Sequence, residues 1–249
     1  MMRLIRYVGV LLALALIPAA ARAAEDVDLL LVLASDVSRS VDHQKFMLQR
    51  EGYAAAVSDP QVLEAIRSGA HGKIAICFLE WSGYGAHKVV IDWAAINGAE
   101  PARRFGDQLL ELPRSFADRT SISGGIDFAV EQLAKAPFQA ARRTIDVSGD
   151  GTNNAGRDVR IARDEAVAKG ITINGLVILS DRSVPWNAEH TNPPGGLEKY
   201  YRENVIGGPG AFTVVAENHN SFGRAIVKKM IAEIALLAPG RNRLRAALD

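Results

Sequence analysis

The stretch from 27 to 34, V-D-L-L-L-V-L-A, limits the architecture more than any other part of the chain. All but one of its residues are apolar, with no alternation to mark a wet side, so it reads as a strand buried on both faces. A sheet hidden on both faces needs helices on each, and the rest of the chain supplies them in alternation. A helix with Phe46, Tyr53 and Val57 on one side follows. Residues 74–81 form a second strand. The turn Ser82-Gly83-Tyr84-Gly85-Ala86 is so short that 87–93, with Val89, Ile91 and Trp93 on one side, must return antiparallel at the sheet edge. Next come a short helix ending at Pro113 and a longer one carrying Ile122, Ile126, Val130 and Leu133. Residues 144–148 are a strand, 159–169 a helix stopped by Gly170, and 171–179 another buried strand. A last strand at 212–216 precedes a helix with Phe222, Ile226, Met230 and Ile234 on one face. The prediction is an α/β fold: a doubly wound, mostly parallel sheet with one antiparallel edge strand and helices on both faces.

The first residues follow another pattern. Arg3 and Arg6 give a basic start, 7–17 is apolar except for Gly9, and Ala21-Arg22-Ala23 is an A-x-A cleavage signal. Residues 1–23 are expected to be a signal peptide, too short to span a bilayer as a finished helix. Export to the periplasm or secretion follows, with no transmembrane segment after cleavage, or else an uncleaved signal kept as an anchor. Residues 24–249 are expected to form a single domain. Losing Arg3, Arg6 and Arg22 leaves 26 basic against 28 acidic residues, a net charge of −2. That balance lacks the broad basic footprint of a nucleic-acid binder. Cys77, the only cysteine, excludes an internal disulfide and any Cys-based zinc cage, and its apolar neighbours mark it as a buried small hydrophobe. The basic tail 241–245 is expected to be a solvated chain end.

One segment breaks the alternation. Residues 181–210 hold Pro185, Pro193, Pro194 and Pro209 together with five glycines, and 197–205 has the composition of a helical turn or two. So long a loop in a folded domain is usually either functional or disordered. Trp186, Tyr200 and Tyr201 are expected to give it the amphipathic aromatics that binding surfaces favour.

In an open α/β sheet, ligands bind beyond the carboxyl ends of the strands, so the residues after each strand matter most. Asp36-Val37-Ser38-Arg39-Ser40 follows the first strand, Thr120 lies at the start of a helix, and Ser148-Gly149-Asp150 follows the 144–148 strand. These loops offer two carboxylates and several hydroxyls. All are hard oxygen donors, with no sulfur and no nearby His, which suits Mg²⁺ or Mn²⁺. Ser40 is also placed to cap the next helix. The five histidines show no metal-ligand spacing and are expected at the surface. Asp146, Ser148, Asp150 and Gly151 imitate the start of a calcium loop, but Arg157 stands where that loop needs Glu. Trp81, at a strand end, is expected in the core.

This pattern resembles the metal-ion-dependent adhesion site of von Willebrand factor A domains: D-x-S-x-S at Asp36, Ser38 and Ser40, then Thr120, then Asp150 before a glycine. The strand pattern extends the resemblance from about Val27 to about Ala238. It implies that the hydroxyls of Ser38, Ser40 and Thr120 contact the metal directly or through water, that Asp36 and Asp150 hold it likewise, and that one position stays open for a partner's carboxylate. One departure is Gly149, where many members carry Ser or Thr. Glu80-Trp81-Ser82-Gly83, the string 148–154 and Tyr200-Tyr201-Arg202-Glu203-Asn204-Val205-Ile206-Gly207-Gly208 resemble the bacterial branch called domain of unknown function 1194, a name that implies no activity.

Two functions follow. The first is an exported, metal-dependent protein-binding module that captures an acidic side chain of an unknown protein partner and is not an enzyme. The alternative is a metal-assisted hydrolase. It would need a general base, for which only Glu80 or an acid from 181–210 is available.

Overall fold

Long apolar strands cannot leave a face in water, and in this protein both faces of the main sheet are covered. The structure, a computed structural model, describes residues 24–179, 187–217 and 219–235. In chain order the elements are β1 (Glu25–Asp26), β2 (Leu30–Asp36), α1 (His43–Val57), α2 (Pro60–Arg67), β3 (Ile74–Trp81), β4 (His87–Ile96), α3 (Ala99–Glu111) and α4 (Ile122–Ala134). There follow β5 (Phe138–Gln139), β6 (Arg143–Gly149), α5 (Val159–Ala168), β7 (Thr172–Ile178), α6 (Ala188–Thr191), α7 (Leu197–Asn204), β8 (Thr213–Ala216) and α8 (His219–Ala235). The six-stranded sheet has the order β4-β3-β2-β6-β7-β8. Only β3 and β4 pair antiparallel; every other neighbouring pair is parallel. The fold class expected from the sequence is the one observed.

Strand periodicity assigns the layers. Leu29, Leu31 and Leu33 pack with Tyr53 of α1, Ile66 of α2, Phe105 of α3 and Ile226 of α8. Leu30, Val32 and Ala34 point the other way, to Ile126 of α4, Ala162 of α5 and Tyr201 of α7. Cys77 is buried as expected, and burial pushes its thiol pKa up to about 12. Trp81 is buried in the second layer, its indole N–H donating to Ala34 O at 3.0 Å.

Some elements differ from the expectation. α2 had no counterpart in the sequence reading, although Asp59 caps it by accepting from Gln61 N and Pro60 opens it. β4 runs on to Ile96 after register shifts between Ile76 and Leu79. β1 and β5 form a separate two-stranded parallel ribbon. The part of 181–210 that is described, from 187 onward, carries α7 where 197–205 was expected to hold a helical turn or two, and also α6, which had no counterpart in the sequence reading. The expected signal peptide, Trp186 and the basic tail lie outside the described residues. Among the described residues, no helix is long and apolar enough to cross a membrane.

The order of strands locates the crevice. From β2 the chain moves outward to β3 and β4, then returns across β2 to build β6, β7 and β8. The order therefore reverses between β2 and β6. At such a switch point the connections leave in opposite directions and open a crevice at the carboxyl ends. Asp36 ends β2, and Asp150 follows β6 directly.

Candidate metal centre

The loop after β2 is built to free its hydroxyls. Asp42, not Ser40, caps α1 by accepting from Lys45 N at 2.8 Å, so the capping role expected for Ser40 falls to a residue two positions later. Ser38 N donates to Asp36 Oδ1 at 2.7 Å, curling the loop back on its own carboxylate. Ser38 Oγ and Ser40 Oγ lie 3.2 Å apart, and Ser40 Oγ donates to Asp150 Oδ1 at 2.5 Å. Four of the five residues expected from the sequence thus form one hydrogen-bonded string across the switch point.

Thr120 reaches the site from another direction. Ser121 caps α4 by accepting from Gly124 N, which leaves the Thr120 hydroxyl free of that duty. Thr120 N donates to Asn154 Oδ1 at 2.9 Å, and Asn154 N donates back to Thr120 O at 2.9 Å. That reciprocal pair ties the start of α4 to the loop after β6. Thr120 makes no hydrogen bond to the other four residues; its Oγ1 lies 3.2 Å from His190 Nε2. It shares with Ser40 a cleft of about 550 Å³, which Arg39, Asp118, Arg119 and His190 also line.

His190 corrects the expectation that every histidine is a surface residue and that none lies near these oxygen donors. His43 and His71 are exposed, but His190 is buried on α6. Room exists because residue 151 is glycine: a Cβ there would fall 2.3 Å from His190 Nε2. Burial lowers the pKa of the imidazole, with the Asp150 charge opposing, so the ring is mainly neutral at neutral pH. Tyr201 is a second correction. It lies in the core rather than on a partner surface, because α7 turns Leu197 and Tyr201 together onto the sheet beside Gly175. Tyr200 is half-buried, and its hydroxyl accepts from Asn153 N at 3.1 Å.

Three residues that the sequence reading missed hold the loops in place. Gln49 of α1 accepts from Ser35 Oγ at 2.7 Å and Ser148 Oγ at 3.2 Å, and donates to Asp36 O at 3.1 Å, clamping the ends of β2 and β6. Arg114 donates to the carbonyls of Val37, Ser38 and Val41 at 2.6–2.8 Å, stapling the loop that carries the two serines. Lys45 Nζ stands 2.6 Å from Asp150 Oδ2. No local pattern marks these three, because each acts through partners far away in sequence or through backbone carbonyls.

The electrostatics leave one group wanting a cation. Asp36 Oδ2 is buried and accepts no hydrogen bond. Burial, then the Asp150 charge, raises the Asp36 pKa to about 7. A buried carboxylate set beside a second carboxylate and linked to it through Ser38 and Ser40 is an environment that a hard divalent cation relieves. Among the described residues no group of three His, Cys, Asp or Glu side chains converges as a metal cage, so hydroxyls must make up any ligand set here. Glu80 offers no general base: Arg50 pairs with its Oε1 at 2.6 Å and Ser115 N donates to its Oε2 at 2.8 Å.

Gly149 also finds its reason. A Cβ at this position would lie 2.5 Å from the Tyr201 hydroxyl and 3.0 Å from Asp36 Oδ2. The phenol stands in the space that a Ser or Thr side chain would need, so only glycine fits.

The model of one family, described as a protein of unknown function (DUF1194), matches residues 26–238. No curated protein matches. Solved structures with a similar fold include a von Willebrand factor type A protein from Catenulispora acidiphila, with a TM-score of 0.57 and 12% identity over 84% of this chain and 43% of that one. Another is proximal thread matrix protein 1 from the mussel byssus with a zinc-occupied MIDAS motif, with a TM-score of 0.58 and 13% identity over 85% of this chain and 49% of that one. A third is the pilus adhesin SpaC from Lactobacillus rhamnosus GG, at 0.58 and 11% over 86% and 31%. The chain spans less than half the length of each. At these identities the likeness is one of fold, and the fold is von Willebrand factor A-like.

Proposed function

The chain belongs to the DUF1194 family with a von Willebrand factor A-like fold, and from that premise we propose that it is a metal-dependent protein-binding module rather than an enzyme. Asp36, Ser38, Ser40, Thr120 and Asp150 are the metal ligands in this reading, directly or through water, and the ion is Mg²⁺ or Mn²⁺. The observation that carries it is Asp36 Oδ2, buried without a partner beside a second carboxylate. The donor set is all oxygen, which favours a hard cation. When bound, the ion supplies a Lewis-acidic position for a carboxylate from outside.

The chain's own residues prepare that position. Gln49 and Arg114 fix the backbone on which the hydroxyls stand. Asn154 holds Thr120 at the rim of the cleft. With Glu80 committed to Arg50, no acid of β3 is free to take a proton from water. The solved relatives include an adhesin and a matrix protein, one of them with zinc at its MIDAS motif, in keeping with a binding role. The location we propose is the periplasm or the cell exterior, on the strength of the basic, apolar and A-x-A pattern of residues 1–23.

The test is capture from the native envelope fraction by immobilised protein, with Mg²⁺ and with EDTA, beside a Thr120→Ala variant. A partner retained only by wild type in Mg²⁺ supports the reading. Capture that ignores both EDTA and the substitution contradicts it, as would turnover of generic esterase or phosphatase substrates.

A further inference from the structure

We propose that the cleft beside the metal centre receives a cluster of carboxylates, with Arg39 and Arg119 binding the acidic side chains that neighbour the one at the ion. This deepens the binding role proposed above and rests on it for the metal-bound carboxylate.

Arg39 stands between Ser38 and Ser40, and Arg119 immediately precedes Thr120, so each flanks a hydroxyl of the centre. Both line the same cleft of about 550 Å³, and both are exposed. Their backbones are anchored: Arg39 N donates to Asp118 O at 2.8 Å, and Arg119 O accepts from Ser82 Oγ at 3.1 Å. Their guanidinium groups are not. Among the described residues neither makes an ion pair or a side-chain hydrogen bond, whereas Arg50, Arg67, Arg103, Arg157, Arg160 and Arg163 pair with carboxylates. Arg114, Arg142 and Arg143 donate to carbonyls instead. Arg224 of α8 is the other described arginine without such a partner.

The cleft's own acid does not satisfy the pair. Asp118 is turned to the β3–β4 hairpin, its Oδ2 lying 2.7 Å from where a Cβ on Gly83 would stand. In a chain whose basic and acidic residues nearly cancel, two unpaired arginines in one cleft are a local feature and not a by-product of overall charge. Arginine's planar fork donates two N–H groups side-on to one carboxylate, a geometry lysine cannot offer. Charge complementarity therefore selects an acidic peptide segment with several Asp or Glu side chains close together, over one isolated carboxylate.

Two fluorescein-labelled Gly-Ser peptides test this, one with a single central Glu and one with three consecutive Glu residues. In saturating Mg²⁺ the clustered peptide should bind wild type at least about tenfold tighter, the scale of one charged hydrogen-bonded contact. In the Arg39→Gln, Arg119→Gln double variant that gap should close, while Mg²⁺ affinity by calorimetry stays at the wild-type value. Equal affinity for the two peptides, no binding of either, or a gap that persists in the double variant overturns the proposal. The metal reading fails separately, if wild type takes up no Mg²⁺. The peptide gap still decides for or against the arginines in that case, because they act without the ion.

Discussion

Lys45 Nζ rests 2.6 Å from Asp150 Oδ2, so the second acidic residue of the centre already holds a cation of the chain's own. Asp150 Oδ1 meanwhile accepts from Ser40, which leaves neither oxygen idle. Lys45 lies in the first turn of α1, where the helix dipole disfavours a positive charge, and Asp150 offsets that cost. A metal that takes Asp150 competes with this ammonium for the carboxylate's charge. Replacing Lys45 with Met should therefore tighten Mg²⁺ binding by about tenfold, the lower end of what a charged hydrogen bond contributes. Calorimetric titration of the two proteins checks this; equal or weaker binding by Lys45→Met would contradict the competition.

The fit of Gly149 against Tyr201 gives a prediction on stability. Gly149→Ser places a Cβ against the phenol hydroxyl and Asp36, and overpacking of this kind costs about 1–3 kcal/mol. Tyr201→Phe removes a buried hydroxyl that has no hydrogen-bond partner, so it should be nearly neutral or stabilising. The double variant should recover much of the loss, as expected for residues in contact. Urea unfolding of the four proteins measures the coupling. Additive effects would show that the hydroxyl is not what excludes a side chain at 149.

A pH dependence follows from two buried acids. Asp36 and Asp146 are both raised from 3.8 to about 7, in each case chiefly by burial. Asp146 faces Lys229 and Glu233 of α8 and Tyr53 of α1. Lys229 Nζ is 2.7 Å from it, yet neither Asp146 oxygen has a well-directed hydrogen bond. An acid whose folded pKa exceeds its unfolded one binds its proton more tightly when folded. Its stabilisation is full below the unfolded value and is lost as pH rises through the folded one. In EDTA, Tm should therefore fall between about pH 5 and about pH 8, and fall less in Asp146→Asn. A Tm in EDTA that rises over this range, with the same slope in the variant, would contradict the assignment.

Much of this was legible in the sequence because it is local. The uninterrupted apolar run of β2 announces burial on both faces, and the short turn after Trp81 forces β4 to return antiparallel. Strand-end placement then finds Asp36, Ser38, Ser40 and Asp150 without coordinates. What the sequence hides is long-range. Lys45 meets Asp150 across the crevice, Arg114 acts on carbonyls that carry no sequence mark, and His190 sits at the site only because Gly151 leaves it room. Within 181–210 the composition of 197–205 marked α7, but the i, i+4 spacing of Leu197 and Tyr201, which turns both inward, was not weighed against the surface role expected for Tyr201. α2 was detectable, since Asp59 and Pro60 are a standard helix start followed by Val62, Leu63 and Ile66.

The central claim is that Asp36 anchors a hard divalent cation. Titrating Mg²⁺ into wild type and Asp36→Ala by calorimetry, with circular dichroism to confirm that both are folded, tests it most directly. The account predicts a single site in wild type. Affinity in the variant should be lower by at least about 10–100-fold, the loss that even residues behind the ligands produce. Equal Mg²⁺ affinity in the two folded proteins would contradict it.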